Sequence, residues 1–388
     1  MSYTTLWAYP WDLTYESTAD TIAMLKQEIA LDAISVATSY HTYEMLCPHR
    51  QGRKFIWAPE AAVYFQPQLA LYQDTPIKPN ISPTIEGRDP LQEIGNACVA
   101  NGLGLTSWTV CLHNSHQALA YPEHAQANAF GDILPHAPCP SSPAVRGYMK
   151  ALVQDLTTNY PITAIELETL NFNGYSQGHY HAKIGLPLGP LESFLFSLCF
   201  CNHCQERAQQ HNIDIENLRA SVCAKLDHFC QEGDPSDQSI EDYVQADELL
   251  SAFVRMRAEA VESLTQEVKD AVSVPVYYLL MGNYYDNGMD YRAIANIVDR
   301  VEVLAYSADP VQVHNSIRAI ADLAIEPAQI HAGFGAYHPA SPDEATLVST
   351  TRAAIEEGVS GFSYYNYGIM PRKNLAWVKA AVALVKEV

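Results

Sequence analysis

Ile162–Lys183, ITAIELETLNFNGYSQGHYHAK, starts as an apolar run behind Pro161 and ends in a loop bearing two histidines and a lysine. A strand has a side-chain period of two, so Glu166 and Glu168 share one face and Ile165 and Leu167 the other. Two carboxylates on one face do not suit an ordinary core, because an ionised side chain is costly to bury unpaired. The pair therefore reads as the floor of a site. Same-face neighbours lie about 7 Å apart along a strand, so Glu166, the deeper one, supports Glu168. The loop from Asn173 to Lys183 then covers the site, with His179, His181 and Lys183 directed at substrate.

The stretches on either side say which fold holds this strand. Upstream, Thr5–Tyr9 (TLWAY), Asp32–Ala37 (DAISVA) and Gly102–Cys111 (GLGLTSWTVC) read as strands one to three. Downstream, Ser273–Leu280, Arg300–Tyr306, Gln329–Gly335 and Gly358–Tyr365 read as strands five to eight. Helical patterns fall between them at Thr18–Ala30, Asp89–Asn101, Pro143 to about Asn159, and Ile240–Val272. Four more follow at about 289–298, 310–324, 341–357 and 373–387. Eight strand–helix alternations imply parallel strands. Elaboration confined to the segments after strands points to an α/β fold, a (β/α)8 TIM barrel spanning residues 1–388. A long loop and helical segment is inserted at about 169–242, and the site lies at the C-terminal ends of the strands. A doubly wound open sheet would carry a glycine-rich phosphate turn after strand one, where Pro10-Trp11-Asp12 stands instead.

Composition narrows the partners. With 23 basic against 44 acidic residues the net charge is -21, which argues against nucleic acid or an anionic membrane surface as partner. A neutral or cationic small molecule suits it better. Nine cysteines, an odd number scattered along the chain, together with a start lacking a basic, apolar leader, predict a reduced, cytoplasmic protein. No apolar run approaches the roughly 18 residues of a membrane helix, so a soluble protein is expected.

In a barrel, residues at successive strand ends share one pocket. Here they are Tyr9, Trp11 and Asp12; Tyr40 and His41; Trp108, His113 and Asn114; Glu166, Glu168 and Asn171; Tyr278 and Met281; Tyr306 and Asp309; Tyr337 and His338; and Tyr364, Asn366 and Tyr367. Flat aromatic surfaces mixed with neutral hydrogen-bonding groups suit sugar rings, whose C–H faces stack while their hydroxyls need paired partners. A divalent ion is the competing use, with Glu168, His113, His179 and His181 as possible ligands. His179 and His181 are two apart in a loop, which is no ligand signature by itself. No dinucleotide, phosphate or Ser-His-Asp motif is present, Gly333-Phe-Gly335 alone being weak. Cys199, Cys201 and Cys204 could form a structural zinc knuckle, although C-x-C-x2-C lacks a matched second half, and buried free thiols are the competing reading.

On Asn128-Ala-Phe-Gly-Asp132, Cys139-Pro-Ser-Ser-Pro143-Ala-Val-Arg146, Glu168 after strand four, and the segment Cys199–Cys204, the chain resembles bacterial barrel proteins related to family 42 and family 10-like glycosyl hydrolases. The resemblance implies hydrolysis of a glycosidic bond in a small neutral carbohydrate or glycoside, with Glu168 as general acid/base and no cofactor. Two departures stand out. Leu167 replaces the Asn that precedes the family's acid/base, and strand seven, His331–Gly335, lacks the nucleophilic Glu. Retaining enzymes need two carboxyls about 5 Å apart and inverting ones about 6.5–9.5 Å, so the partner must come from another strand. Asp12 and Asp309 are the first candidates, Asp286 the third. Glu166-Leu-Glu168 with Tyr306 is also similar to chitinase-like barrels, in which the substrate's acetamido group replaces the nucleophile. Two other readings remain open, a metal-dependent sugar isomerase or lyase and a non-catalytic carbohydrate-binding barrel.

Overall fold

The computed structural model describes every residue except Met1, His179 and Tyr180. Eight strands, β1 (Tyr3–Ala8), β2 (Ala33–Tyr40), β3 (Gly104–Val110), β4 (Ala164–Glu168), β5 (Val276–Leu279), β6 (Arg300–Leu304), β7 (Ile330–Gly335) and β8 (Gly361–Tyr365), form one all-parallel sheet. It closes because β1 pairs with two neighbours: Leu6 lies opposite Ile34 on β2 and Tyr364 on β8. An open doubly wound sheet has no such pairing, so the chain is a (β/α)8 barrel. Crossover helices α1 (Thr18–Gln27), α2 (Pro90–Asn101), α3 (Pro143–Asn159), α4 (Glu248–Asp270), α5 (Tyr291–Ile297), α6 (Pro310–Ala321), α7 (Glu344–Glu356) and α8 (Asn374–Lys386) follow the strands in turn.

Local chemistry sets the helix ends. Ser142 accepts the Val145 N–H with Pro143 at the first helical position, starting α3. Asp89 and Pro90 do the same for α2, which stops at Gly102 in the left-handed region. The expected single helix Ile240–Val272 is instead two, Ile240–Gln245 and α4, because Asp247 turns extended and accepts the N–H groups of Leu249 and Leu250. A cap inside an apolar pattern ends the helix that the periodicity alone would continue.

Outward-facing strand residues, among them Ile34, Val36, Ile165, Leu167, Val301 and Ile330, pack on Leu152, Leu264, Ile317, Leu347 and Val382 of the helices. Each such side chain contributes roughly 1.5–3 kcal/mol by leaving water. The inward face differs from the usual layers of branched aliphatics. Tyr3 bonds Thr106 and stacks on His331 at 5.5 Å, and Trp7 donates to Glu166. Gly333 makes this possible: a Cβ there would lie 2.9 Å from the Trp7 ring. This explains the glycine that formed part of an apparent phosphate motif.

The connection after β4 is the longest. Its helices Pro190–Ser197, Asn202–Gln210 and Ile215–Glu232 build a second apolar cluster in which Leu191, Phe194, Leu195, Leu218 and Val222 pack with Phe253 and Val254 of α4. The connection after β2 holds a hairpin, Tyr43–Leu46 paired with Phe55–Ala58. No helix among the described residues is long and apolar enough to cross a membrane.

Candidate active site

Glu168 ends β4 in a cup of about 130 Å³ lined by Trp7, Tyr40, Trp108, Leu279, Met281, Leu304, Tyr306 and Tyr365. Six strands besides β4 deliver these walls, and the rings interlock. Tyr40 stands edge-on to Trp108 at 4.9 Å, as does Tyr365 at 5.8 Å, and Tyr306 stacks on Tyr365 at 5.8 Å. The Trp108 indole N–H donates to Glu168 Oε2 at 2.6 Å. Burial in this aromatic cup pushes the Glu168 carboxyl up to about 7, and the Trp108 hydrogen bond opposes the rise.

Glu166 lies one step deeper, fully buried. Its Oε2 accepts the Trp7 indole N–H at 2.8 Å and the Ser35 hydroxyl. Burial raises it to about 7 as well, opposed by Ser35 and Trp7 and reinforced by Glu168. A third inward carboxyl, Glu302 on β6, is raised well above the ordinary range by burial and then by Glu166, with Ser363 opposing. It was missed in the sequence, although Val301-Glu302-Val303 carries the same signal as Ile165-Glu166-Leu167: an acid alternating with apolar residues on a buried strand. Three carboxyls thus line one barrel interior, and Glu168 is the one that faces the cup.

Neither aspartate expected as partner lines the cup. Asp12 is in the first turn of the short helix Pro10–Thr14, where its Oδ2 accepts the Tyr9 N–H at 2.9 Å. It is pressed so closely on the backbone at Gly368 that a Cβ there would fall 2.0 Å from it. Asp309 is the exposed N-cap of α6 and accepts the Val311 N–H at 2.9 Å. Asp286 accepts from Asn283 Nδ2 at 2.7 Å beside the helix start at Tyr284.

Other expected contacts divide in the same way. Tyr40, Trp108 and Tyr306 line the cup, and the Tyr337 ring lies 6.2 Å from that of Tyr365. Tyr278 and Tyr364 do not belong to it. They face outward into the strand–helix core, Tyr364 against Phe334 at 5.8 Å, and the inward residues are Leu279 and Tyr365. A slip of one residue moves a side chain to the other face of a strand. Trp11 stacks on Tyr9 at 4.9 Å beside Asp12, outside the cup. Asn114 caps the helix Ser115–Ala120. Asn171 and Asn366 are buried, the first bonding Phe172 O and the second accepting the Gly368 N–H. His181 and Lys183 are exposed, and His179 lies outside the described residues.

His41 and His113 line a neighbouring cavity of about 570 Å³ with Thr42, Trp57, Pro59, Glu60, Ser115, His116, Leu119, Ala120 and His136. The cysteine segment, for its part, finds the missing fourth residue. Cys139, from the connection after β3, joins Cys199, Cys201 and Cys204 with all four sulfurs within 4.8 Å of one another and all four side chains buried. Cys139 Sγ lies 3.5 Å from Cys204 Sγ and 3.9 Å from Cys199 Sγ. Nearby, Arg146 binds Pro140 O and α4 through Ala260 O and Glu267. The Cys139–Arg146 motif is therefore a tie between barrel and insertion. Among the described residues no three histidine or carboxylate ligands converge at the mouth, the one such convergence of metal-binding groups being these thiols.

No protein-family model matches the chain, and no curated protein matches it in sequence. Solved structures of glycoside hydrolases share its barrel. An α-L-fucosidase isoenzyme 2 from Paenibacillus thiaminolyticus superposes over 100% of this chain and 49% of its own, with TM-score 0.57 and 13% identity. The catalytic domain of a β-amylase from Paenibacillus polymyxa covers 99% and 98%, with TM-score 0.56 and 10% identity. A β-galactosidase from the psychrophilic Marinomonas ef1 covers 99% and 59%, with TM-score 0.58 and 11% identity. The chain thus spans about half of the fucosidase and under two thirds of the galactosidase. At these identities the likeness is one of fold.

Proposed function

We propose that this protein hydrolyses a glycosidic bond in a small, neutral carbohydrate or glycoside, with Glu168 as the general acid/base. The observation that carries this reading is the Glu168 carboxyl at the end of β4, held by Trp108 in an aromatic cup that raises it to about 7. An acid poised there can donate to a leaving oxygen near neutrality. Indole and phenol faces offer the surfaces on which sugar C–H groups pack, and neither Lys nor Arg lines the cup. The barrel shared with solved glycosidases agrees with it. Asp12 and Asp309 serve helix ends, so Glu166 is the supporting carboxyl, and a substrate carrying its own acetamido nucleophile fits a cup with one carboxylate. Incubation with a panel of 4-nitrophenyl glycosides, N-acetylhexosaminides included, is expected to release nitrophenol from at least one. A panel that stays intact alongside a matching set of disaccharides overturns the reading.

We further propose that Cys139, Cys199, Cys201 and Cys204 hold a structural zinc. Tetrahedral zinc–thiolate bonds of about 2.3 Å place sulfurs roughly 3.8 Å apart, and two of the pairs here, at 3.5 and 3.9 Å, bracket that value. The ion would tie the connections after β3 and β4 and would take no part in catalysis. All nine cysteines are free thiols, which suits a reducing cytoplasmic compartment.

A further inference from the structure

The Glu168 cup is small, yet a cavity over four times its volume opens beside it, at about 570 against 130 Å³. The two share a wall. Tyr40 lines the cup, and its ring lies 4.3 Å from that of His41, which lines the larger cavity. His41 in turn stacks on His113 at 4.6 Å. Both cavities are built on the same two strand ends, β2 through Tyr40 and His41, and β3 through Trp108 and His113. A molecule occupying both would cross the Tyr40–His41 pair into the larger space.

Its lining shows what would fit. Trp57, on the hairpin after β2, is 66% exposed and presents a broad indole face at the edge of the cavity. Glu60 and His116, paired at 2.8 Å, and the hydroxyl-bearing Thr42 and Ser115 supply donors and acceptors. Neither Lys nor Arg lines it, so an anionic group finds no fixed counter-charge. One flat aromatic platform ringed by hydroxyl, imidazole and carboxylate groups matches a pyranose ring, whose hydroxyls both donate and accept.

Resting on the hydrolase reading of Glu168, we infer that the Trp57–His116 cavity is the subsite for the sugar on the leaving-group side of the scissile bond. Trp57 is then a specificity-determining residue, and the substrate class is a di- or oligosaccharide rather than a simple alkyl glycoside. Trp57 sits on the solvent side of its hairpin, so its replacement leaves the barrel core untouched.

The test has a binding arm and a turnover arm. In the first, lactose, cellobiose, maltose and N,N′-diacetylchitobiose are titrated calorimetrically into the full-length protein and into Trp57→Ala and Trp57→Phe. At least one is expected to bind the native protein, tenfold or more weakly to the alanine variant, and with most of the affinity regained by phenylalanine. Failure of all four to bind, or equal binding to all three proteins, overturns the subsite. In the second arm, the disaccharide that binds is compared with the glycosyl fluoride of its non-reducing sugar, which has almost no leaving group to seat. Trp57→Ala is expected to lower kcat/KM for the disaccharide at least tenfold further than for the fluoride, and equal losses overturn the inference. Binding that depends on Trp57 without cleavage of either compound would instead remove the hydrolase reading and leave the sugar subsite standing.

Discussion

Glu168→Gln is expected to lower kcat on a glycoside with a poor leaving group by about 10²–10⁴-fold, the usual contribution of a positioned general acid. Glutamine keeps the shape and can still accept the Trp108 N–H, so the fold is retained and only the transferable proton is lost. The loss should shrink on a glycosyl fluoride, whose departure needs little protonation. The pH profile follows from the direction of the shift. A carboxyl raised to about 7 is protonated below that value, so turnover of the native enzyme should decline as pH rises through about 7. Folding stability should decline earlier, from the ordinary carboxylate range up to about 7, and level off above it, because between those values the unfolded chain has given up its proton while the folded chain still holds it. Measured kcat that is equal in Glu168→Gln and native enzyme would end the assignment of Glu168 as acid.

Cys139→Ser carries the second large effect, on stability instead of turnover. Structural zinc contributes apparent folding free energies of about 10–16 kcal/mol in zinc-finger peptides. Loss of one ligand from such a site should therefore lower the unfolding free energy by several kcal/mol, abolish the ion's retention through dialysis, and loosen the helices from Pro190 to Glu232. Buried thiols without a metal predict something different: serine is nearly isosteric and would cost about 1–3 kcal/mol as a buried hydroxyl lacking a partner. Elemental analysis of the purified native protein settles which applies, with one equivalent of zinc expected and a metal-free, fully stable protein ruling the site out.

Much of the architecture could be read from periodicity, because most barrel strands here are followed by helices with strong polar starts such as Ser142-Pro143 and Asp89-Pro90. The place of Glu168 at the end of β4 was readable for the same reason. What escaped was whatever depends on parity or on distance in three dimensions. Tyr364 and Tyr365 are adjacent and chemically identical, so composition could not say which one faces the cup, and only the pairing of β7 with β8 decides it. Asp12 looks like a mouth carboxylate until the Tyr9 N–H and the bare backbone of Gly368 are seen to enclose it. Cys139 is 60 residues from Cys199, too far for a spacing rule to join them. The split of the helix at Asp247 reflects a local cap that overrides apolar period.

The closing pair of strands has a consequence for biosynthesis. β1 lies within the first eight residues, but one of its edges is satisfied by Gly361–Tyr364. At about 5–20 residues per second, the ribosome needs on the order of half a minute to deliver that partner. During this interval the nascent chain displays an unpaired strand edge, TTLWA, of the kind that templates aggregation. That edge stays open to any other strand until β8 emerges.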